Sequence, residues 1–284
     1  MLTRAAKTLF CGLCIQAAAL PVLQAEPSRE GAHFEIGPEI SHITYEEPGL
    51  MEESGVMYGI SGAFTYRAEN MLGPIDMVKV EGTAAWGEVD YTSPISGTVD
   101  GIEDSMFEVR ALLGLDIATG GRAVLTPFIG FGYRQLDDNG GGMISSVGDY
   151  GYDREANYYY SPIGIEISSD LDNGWSIGGT IEYDYFWSGT QFSELTDANN
   201  DVFTYSDDLR NEQHDGYGLR ASVKIAKKLD SFSLAFEPFL RYWKIDNSDF
   251  DTIIIDEEGD LYEAGFVEPR NNSTQYGLKV SLLF

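Results

Sequence analysis

Apolar side chains recur at every second position over several stretches of this chain. Residues 56–66 put Val56, Tyr58, Ile60, Gly62, Phe64 and Tyr66 on one parity, and 107–117 do the same with Phe107, Val109, Ala111, Leu113, Leu115 and Ile117. The pattern returns at 125–133 (Leu125, Pro127, Ile129, Phe131, Tyr133) and at 175–187 (Trp175, Ile177, Gly179, Ile181, Tyr183, Tyr185, Trp187). It returns again at 217–225 (Tyr217, Leu219, Ala221, Val223, Ile225), at 232–242 (Phe232, Leu234, Phe236, Pro238, Leu240, Tyr242) and at 274–284. Weaker versions sit at 34–45, 77–91 and 158–168. Successive side chains of a strand point to opposite faces, so each stretch predicts a strand with one apolar face. That makes roughly ten strands of about 9–15 residues, long enough to span a membrane and longer than usual in a globular protein.

The connections alternate in length. "RAENMLGP" (67–74), "TGGR" (119–122), "DLDNG" (170–174) and "KKLDS" (227–231) are short. The intervening segments 46–55, 92–104, 137–156, 188–215 and 246–273 are long and polar. Short turns on one rim and long loops on the other are the layout of an outer-membrane barrel.

The second parity carries charge: Glu35, Glu39, Lys79, Glu81, Glu108, Arg110, Asp116, Arg134, Glu166, Glu182, Asp184, Arg220, Lys224, Glu237, Arg241 and Lys279. A Lys or Arg facing lipid at mid-depth costs about 2–4 kcal/mol. In a barrel these groups therefore face the lumen and the apolar parity faces lipid. A soluble sandwich would use the same alternation with apolar side chains in its core. Strand length and loop alternation separate the two, in favour of an all-β, antiparallel up-and-down transmembrane barrel.

Aromatic residues fall near strand ends. Tyr58, Trp86, Phe107, Tyr133, Tyr159, Tyr185, Trp187, Tyr217, Tyr242 and Tyr276 adjoin the long connections, and Phe34, Tyr66, Trp175, Phe232 and Phe284 adjoin the short ones. Two girdles at the membrane interfaces are expected to look like this.

Composition narrows the partners. The 284 residues carry a formal net charge of −28, which repels phosphate and excludes a nucleic-acid binder. Residues 1–25, "MLTRAAKTLFCGLCIQAAALPVLQA", read as a secretory signal: Arg4 and Lys7, an apolar run, then Ala25 at the cut. The mature chain would then be a barrel over 26–284. Both cysteines, Cys11 and Cys14, fall in the signal, so disulfides are not expected. Neither follows a small residue as a lipid-attachment cysteine should. After residue 25 no apolar run reaches the 18 residues of a membrane helix.

"TPFIGFGYR" (126–134), "EPFLRYW" (237–243) and "VEPRNNSTQYGLKVSLLF" (267–284) resemble segments of small Gram-negative outer-membrane β-barrel proteins, the porin-like families. The resemblance implies outer-membrane localisation, lipid contact and no single activity. In those families the terminal aromatic and the alternating apolar residues before it are read by the barrel-assembly machinery. Tyr276, Leu278, Val280, Leu282 and Phe284 match that signal here.

Candidate chemistry is sparse. The three histidines are His33, His42 and His214, with no metal-ligand spacing among them. The omptin proteases, also ten-stranded barrels, use an aspartate pair and a His–Asp pair at the outer rim. Here Asp207–Asp208 and His214–Asp215 lie together on one loop, in the wrong order for that site. His42 in the wall has no serine partner that would suit a lipid-modifying enzyme. "DANNDVFTYSDD" (197–208) starts like a calcium loop with Asp197, Asn199 and Asp201. It then places Val202 where glycine is required and Asp208 where glutamate is. "DEEGDLYE" (256–263) is an acidic loop. No residue set specifies a catalytic group, a metal site or a cofactor.

The lumen charges remain. Glu182 and Asp184 should neighbour Arg220 and Lys224 on the next strand, and those should neighbour Glu237. With Glu108, Arg110, Arg134, Glu166, Arg241 and Lys279 they form a network that either plugs the barrel or lines a pore. The functional readings are a non-enzymatic surface or structural barrel with an unknown ligand, a narrow solute channel, and a rim protease.

Overall fold

The period-2 segments close into one wall. The computed structural model describes residues 30–284. The predicted signal, residues 1–25, lies outside the described residues. The wall is β1 (Gly31–Glu47), β2 (Met51–Leu72), β3 (Ile75–Ser93), β4 (Gly97–Gly114) and β5 (Ala123–Asn139). It continues through β6 (Asp153–Asp170), β7 (Trp175–Ser193), β8 (Gly216–Lys228), β9 (Ser233–Ile245) and β10 (Asn271–Leu283). Each strand pairs antiparallel with its sequence neighbours in the wall. β10 also pairs with β1, with Ile40 opposite Leu278 and His42 opposite Tyr276. Phe34 and Phe284 exchange backbone hydrogen bonds of 2.8 and 3.1 Å at the seam. Closure leaves no free edge, which a lipid-immersed sheet requires.

The two parities separate as the cost of a charge in lipid demands. Ile181 is 75% exposed and Phe131 54% on the outside, whereas Asp184 is 0% and Arg134 1% exposed inside. The interior also holds an aromatic cluster of Tyr158, Tyr160, Phe186 and Trp243. Tyr160 lies flat against the wall because residue 132 is glycine. A Cβ there would sit 2.3 Å from the ring.

The strands run 13 to 22 residues, longer than their apolar alternation suggests. Two of the five connections expected as long loops are tight turns. β1 and β2 are joined by 48–50, and β3 and β4 by 94–96. The pleat continues past the apolar belt because its inner side stays apolar: Ile43, Met57, Ala85, Val89, Ile102 and Met106 pack together there. The other three connections are long. Residues 140–152 form an irregular loop. Between β7 and β8, Leu209–Gln213 folds back to pair with β7. Between β9 and β10, a hairpin of Asp251–Glu257 and Asp260–Phe266 captures Phe203–Tyr205 as a third strand. Ile253 of this small sheet packs with Leu195 and Leu209 beneath it.

A register shift separates Tyr159, opposite Ser188, from Tyr160, opposite Phe186. Trp187 is bulged out of the ladder. The bulge switches the inward parity of β7 from Asp184 and Phe186 to Gly189 and Gln191.

Candidate functional site: the lumen network and the outer mouth

Charged side chains cross the lumen at several heights. Near the short-turn rim, Arg67 of β2 donates to Glu166 of β6 at 2.8 Å and also contacts Asp116. One layer up, Lys224 of β8 bridges Glu35 of β1 at 2.8 Å and Glu237 of β9 at 3.1 Å. In the middle, Arg110 of β4 contacts Glu81 and reaches Glu182 of β7. Lys79 stands 3.0 Å from Glu81. Arg220 of β8 donates to Asp184 on the adjacent β7 and to Glu108 on β4, both at 2.7 Å. Tyr160 completes that set, donating its hydroxyl to Glu108 at 2.8 Å. Arg241 holds Glu39 and Gln275, each at 3.0 Å.

β4 and β8 lie four strands apart in a wall of ten, so the Arg220–Glu108 contact is nearly a diameter. Trp243 fills the space above it. Tyr160 packs edge-on at 4.9 Å between centroids, and Arg220 and Arg134 stand 5.7 and 5.6 Å over its ring. Arg134 otherwise donates to Ser273 at 3.5 Å. Lys279 lies over the Phe239 ring at 5.6 Å. What remains open at this depth is a cavity of about 80 Å³.

No protein-family model matches the chain, and no curated protein matches it in sequence. Its structure is similar to the outer-membrane protease OmpT from Escherichia coli, at TM-score 0.56 and 12% identity, covering 93% of this chain and 98% of that one. Weaker likenesses are to the translocator domain of the autotransporter NalP from Neisseria meningitidis (TM-score 0.40, 11% identity, 90% of each chain) and OprG from Pseudomonas aeruginosa (0.34, 12%, 90% and 97%). The chain folds as an outer-membrane β-barrel. The short-turn rim of the barrel is periplasmic, and the small sheet stands outside the cell.

At the outer rim, His214 pairs with Asp249 of the last loop at 3.1 Å, and both are exposed. Asp208 accepts hydrogen bonds from the backbone N–H and the hydroxyl of Thr196. Asp197 joins Asp153 and Glu194, with carboxylate oxygens within 4.8 Å. Asn199 caps the backbone of Tyr205. Tyr276, Leu278, Val280 and Leu282 lie on the lipid face of β10, and Phe284 follows its last residue on the same parity.

The sequence pattern missed three groups. Arg67 fell in a segment read as a turn, and Arg154 in one read as a loop. Trp243 shares the inward parity of Glu237 and Arg241, so extending that parity two residues would have found it. Arg154 of β6 stands above the outer girdle, five residues beyond Tyr159. It donates to Glu53 and Asp138 at 2.7 Å and to Glu47 at 3.3 Å. Tyr45 links Glu47 to Glu268, donating at 3.3 and 3.1 Å.

Burial, then the charge of Glu47, pushes the Glu268 carboxyl up to about 7 from its ordinary 4.5, against the pull of Arg154. A carboxyl raised in the folded state keeps its proton after the unfolded chain has lost it. Its contribution to stability is therefore full below pH 4.5 and is lost as pH rises through about 7. Thermal melts of Glu268→Gln should show a smaller loss of stability between about pH 5 and about pH 8 than the parent shows. An equal loss would place the titration elsewhere.

Proposed function

We propose that the protein is a non-enzymatic surface barrel with a sealed lumen, and that its outer portion is the part that meets a ligand. The observation that carries this reading is the Arg220–Glu108–Tyr160 set, which spans the wall with every partner buried. The Arg67–Glu166 contact crosses the lumen below it, and the Arg154 cluster crosses it above. A packed charge ladder of this kind suits a ten-stranded barrel, whose lumen is too narrow to stay open once long side chains meet across it. His214 pairs with Asp249 in an exposed position, while Asp208 and Asp207 accept hydrogen bonds from Thr196 and Asp208 on their own loop, an arrangement that does not favour a rim protease.

Purified protein in planar bilayers is expected to give no unitary conductance steps. Reproducible steps would replace this reading with the narrow-channel alternative. That alternative draws on the periplasmic cavity of about 250 Å³ below the mid-lumen contacts.

We also propose that the C-terminal strand engages the barrel-assembly machinery. Deleting Phe284 should lower the outer-membrane yield in cells, with much less loss on refolding into detergent. Equal losses in both settings would make Phe284 an ordinary packing residue.

A further inference from the structure

A second cavity opens at the outer mouth, above the Arg154 cluster. It measures about 300 Å³, at the low end of the range for small-molecule pockets. The hairpin turns at 48–50 and 94–96 and the loop 140–152 enclose it. Met51, Tyr91, Val99, Ile102, Met143 and Tyr152 give it apolar walls. Glu47, Glu53, Asp138 and Arg154 form its floor.

The floor is short of positive charge. Among the described residues, Arg154 is the one base in contact with Glu47, Glu53 and Asp138. Glu268 joins them through Tyr45, and Asp104 lies just beneath, lining a small adjoining cavity of about 40 Å³. One Asp104 carboxylate oxygen is buried without a hydrogen-bond partner among the described residues. Asp149 adds a further carboxylate at the rim. In the free protein the mismatch falls on the carboxyls themselves. Burial raises Glu47 from its ordinary value, and Glu53 well above it, despite Arg154.

We propose that this pocket binds a small organic monocation with an apolar body, the class represented by an arylalkylammonium. An ammonium head would supply the positive charge that the floor lacks, and the tyrosine-lined walls would accept the apolar part. A hard divalent ion fits poorly, since it needs six or more oxygens and both oxygens of Glu53 already accept from Arg154. An anion would meet the four acidic side chains that line the pocket, Glu47, Glu53, Asp138 and Asp149, and a single engaged guanidinium. The site lies above the lumen contacts, so its occupancy does not depend on whether the lumen conducts.

Isothermal titration calorimetry of the purified protein in detergent, corrected for micelle-only heats, tests the proposal with 2-phenylethylammonium. Its neutral and anionic counterparts are 2-phenylethanol and 3-phenylpropionate. The ammonium should bind about tenfold more tightly than the alcohol, with no binding of the carboxylate. Binding should tighten from about pH 6 to about pH 8, because protons held by Glu268, Asp104, Glu47 and Glu53 compete with the cation. Val99→Trp should abolish binding by filling the cavity, as should Met143→Trp. Equal affinity for ammonium and alcohol, affinity independent of pH, or binding retained in a properly folded tryptophan variant would each overturn the proposal. So would the absence of ammonium binding to the parent protein at millimolar concentration.

Discussion

Arg220→Ala is expected to lower the unfolding free energy by about 3–5 kcal/mol and to leave bilayer conductance near zero. Glu108 and Asp184 both lose their buried partner, and Glu182, 3.3 Å from the same guanidinium, loses a second. A carboxylate in a dry, narrow space cannot recover that interaction from water. Tyr160 still donates to Glu108, so the loss falls short of complete isolation. Urea titration in lipid vesicles would measure the change. The double variant Arg220→Met with Glu108→Gln should recover part of the stability, since it removes an uncompensated charge together with its partner. A lumen filled with water would give a different result: little change in stability and a shift in ion selectivity toward cations. If neither quantity moved, Arg220 would not face the lumen.

Trp243→Ala should cost a similar amount, about 3–5 kcal/mol, by a different route. The indole is 1% exposed and is packed by Tyr158, Tyr160, Arg134 and Arg220. Removing it leaves a void between rings held by rigid strands, which cannot collapse to fill it. It also strips the cation–π face from two buried guanidinium groups. Trp243→Phe keeps most of the ring volume and should cost less than half as much. An alanine variant as stable as phenylalanine would show that the centre of the barrel is loosely packed.

Much of the wall could be read from alternation, and the reason is the solvent. Lipid on one side tolerates no mid-depth charge, so the outward face of every strand had to be apolar, as Ile177, Ile181 and Tyr185 are on β7. That constraint acts on each residue separately and leaves a mark that needs no partner to be recognised. Above the membrane the constraint lapses. The extensions around Met51 and Val99 therefore looked like loops, although their inner side chains keep the pleat going.

Partner choice inside the lumen left no such mark. Glu182 lies opposite Arg220 on the neighbouring strand, so the sequence pattern put the two side by side. Glu108 and Arg220 are separated by 112 residues and meet only because closure and stagger place β4 across from β8 at one height. The bulge at Trp187 shifts the inward parity of β7, and period-2 reading cannot see a skipped residue. Arg154 gains its role only when β1, β2 and β5 bring Glu47, Glu53 and Asp138 around it.

Alternation alone indicated roughly ten strands, the face that most of them turn to lipid and many of the inward charges, because the exclusion of charge from lipid acts on each residue locally. Which charge meets which across the lumen, and the presence of an acidic pocket at its outer mouth, emerge only from the closed wall. Those depend on barrel diameter, strand stagger and loop packing, which are properties of the closed wall and of no single strand.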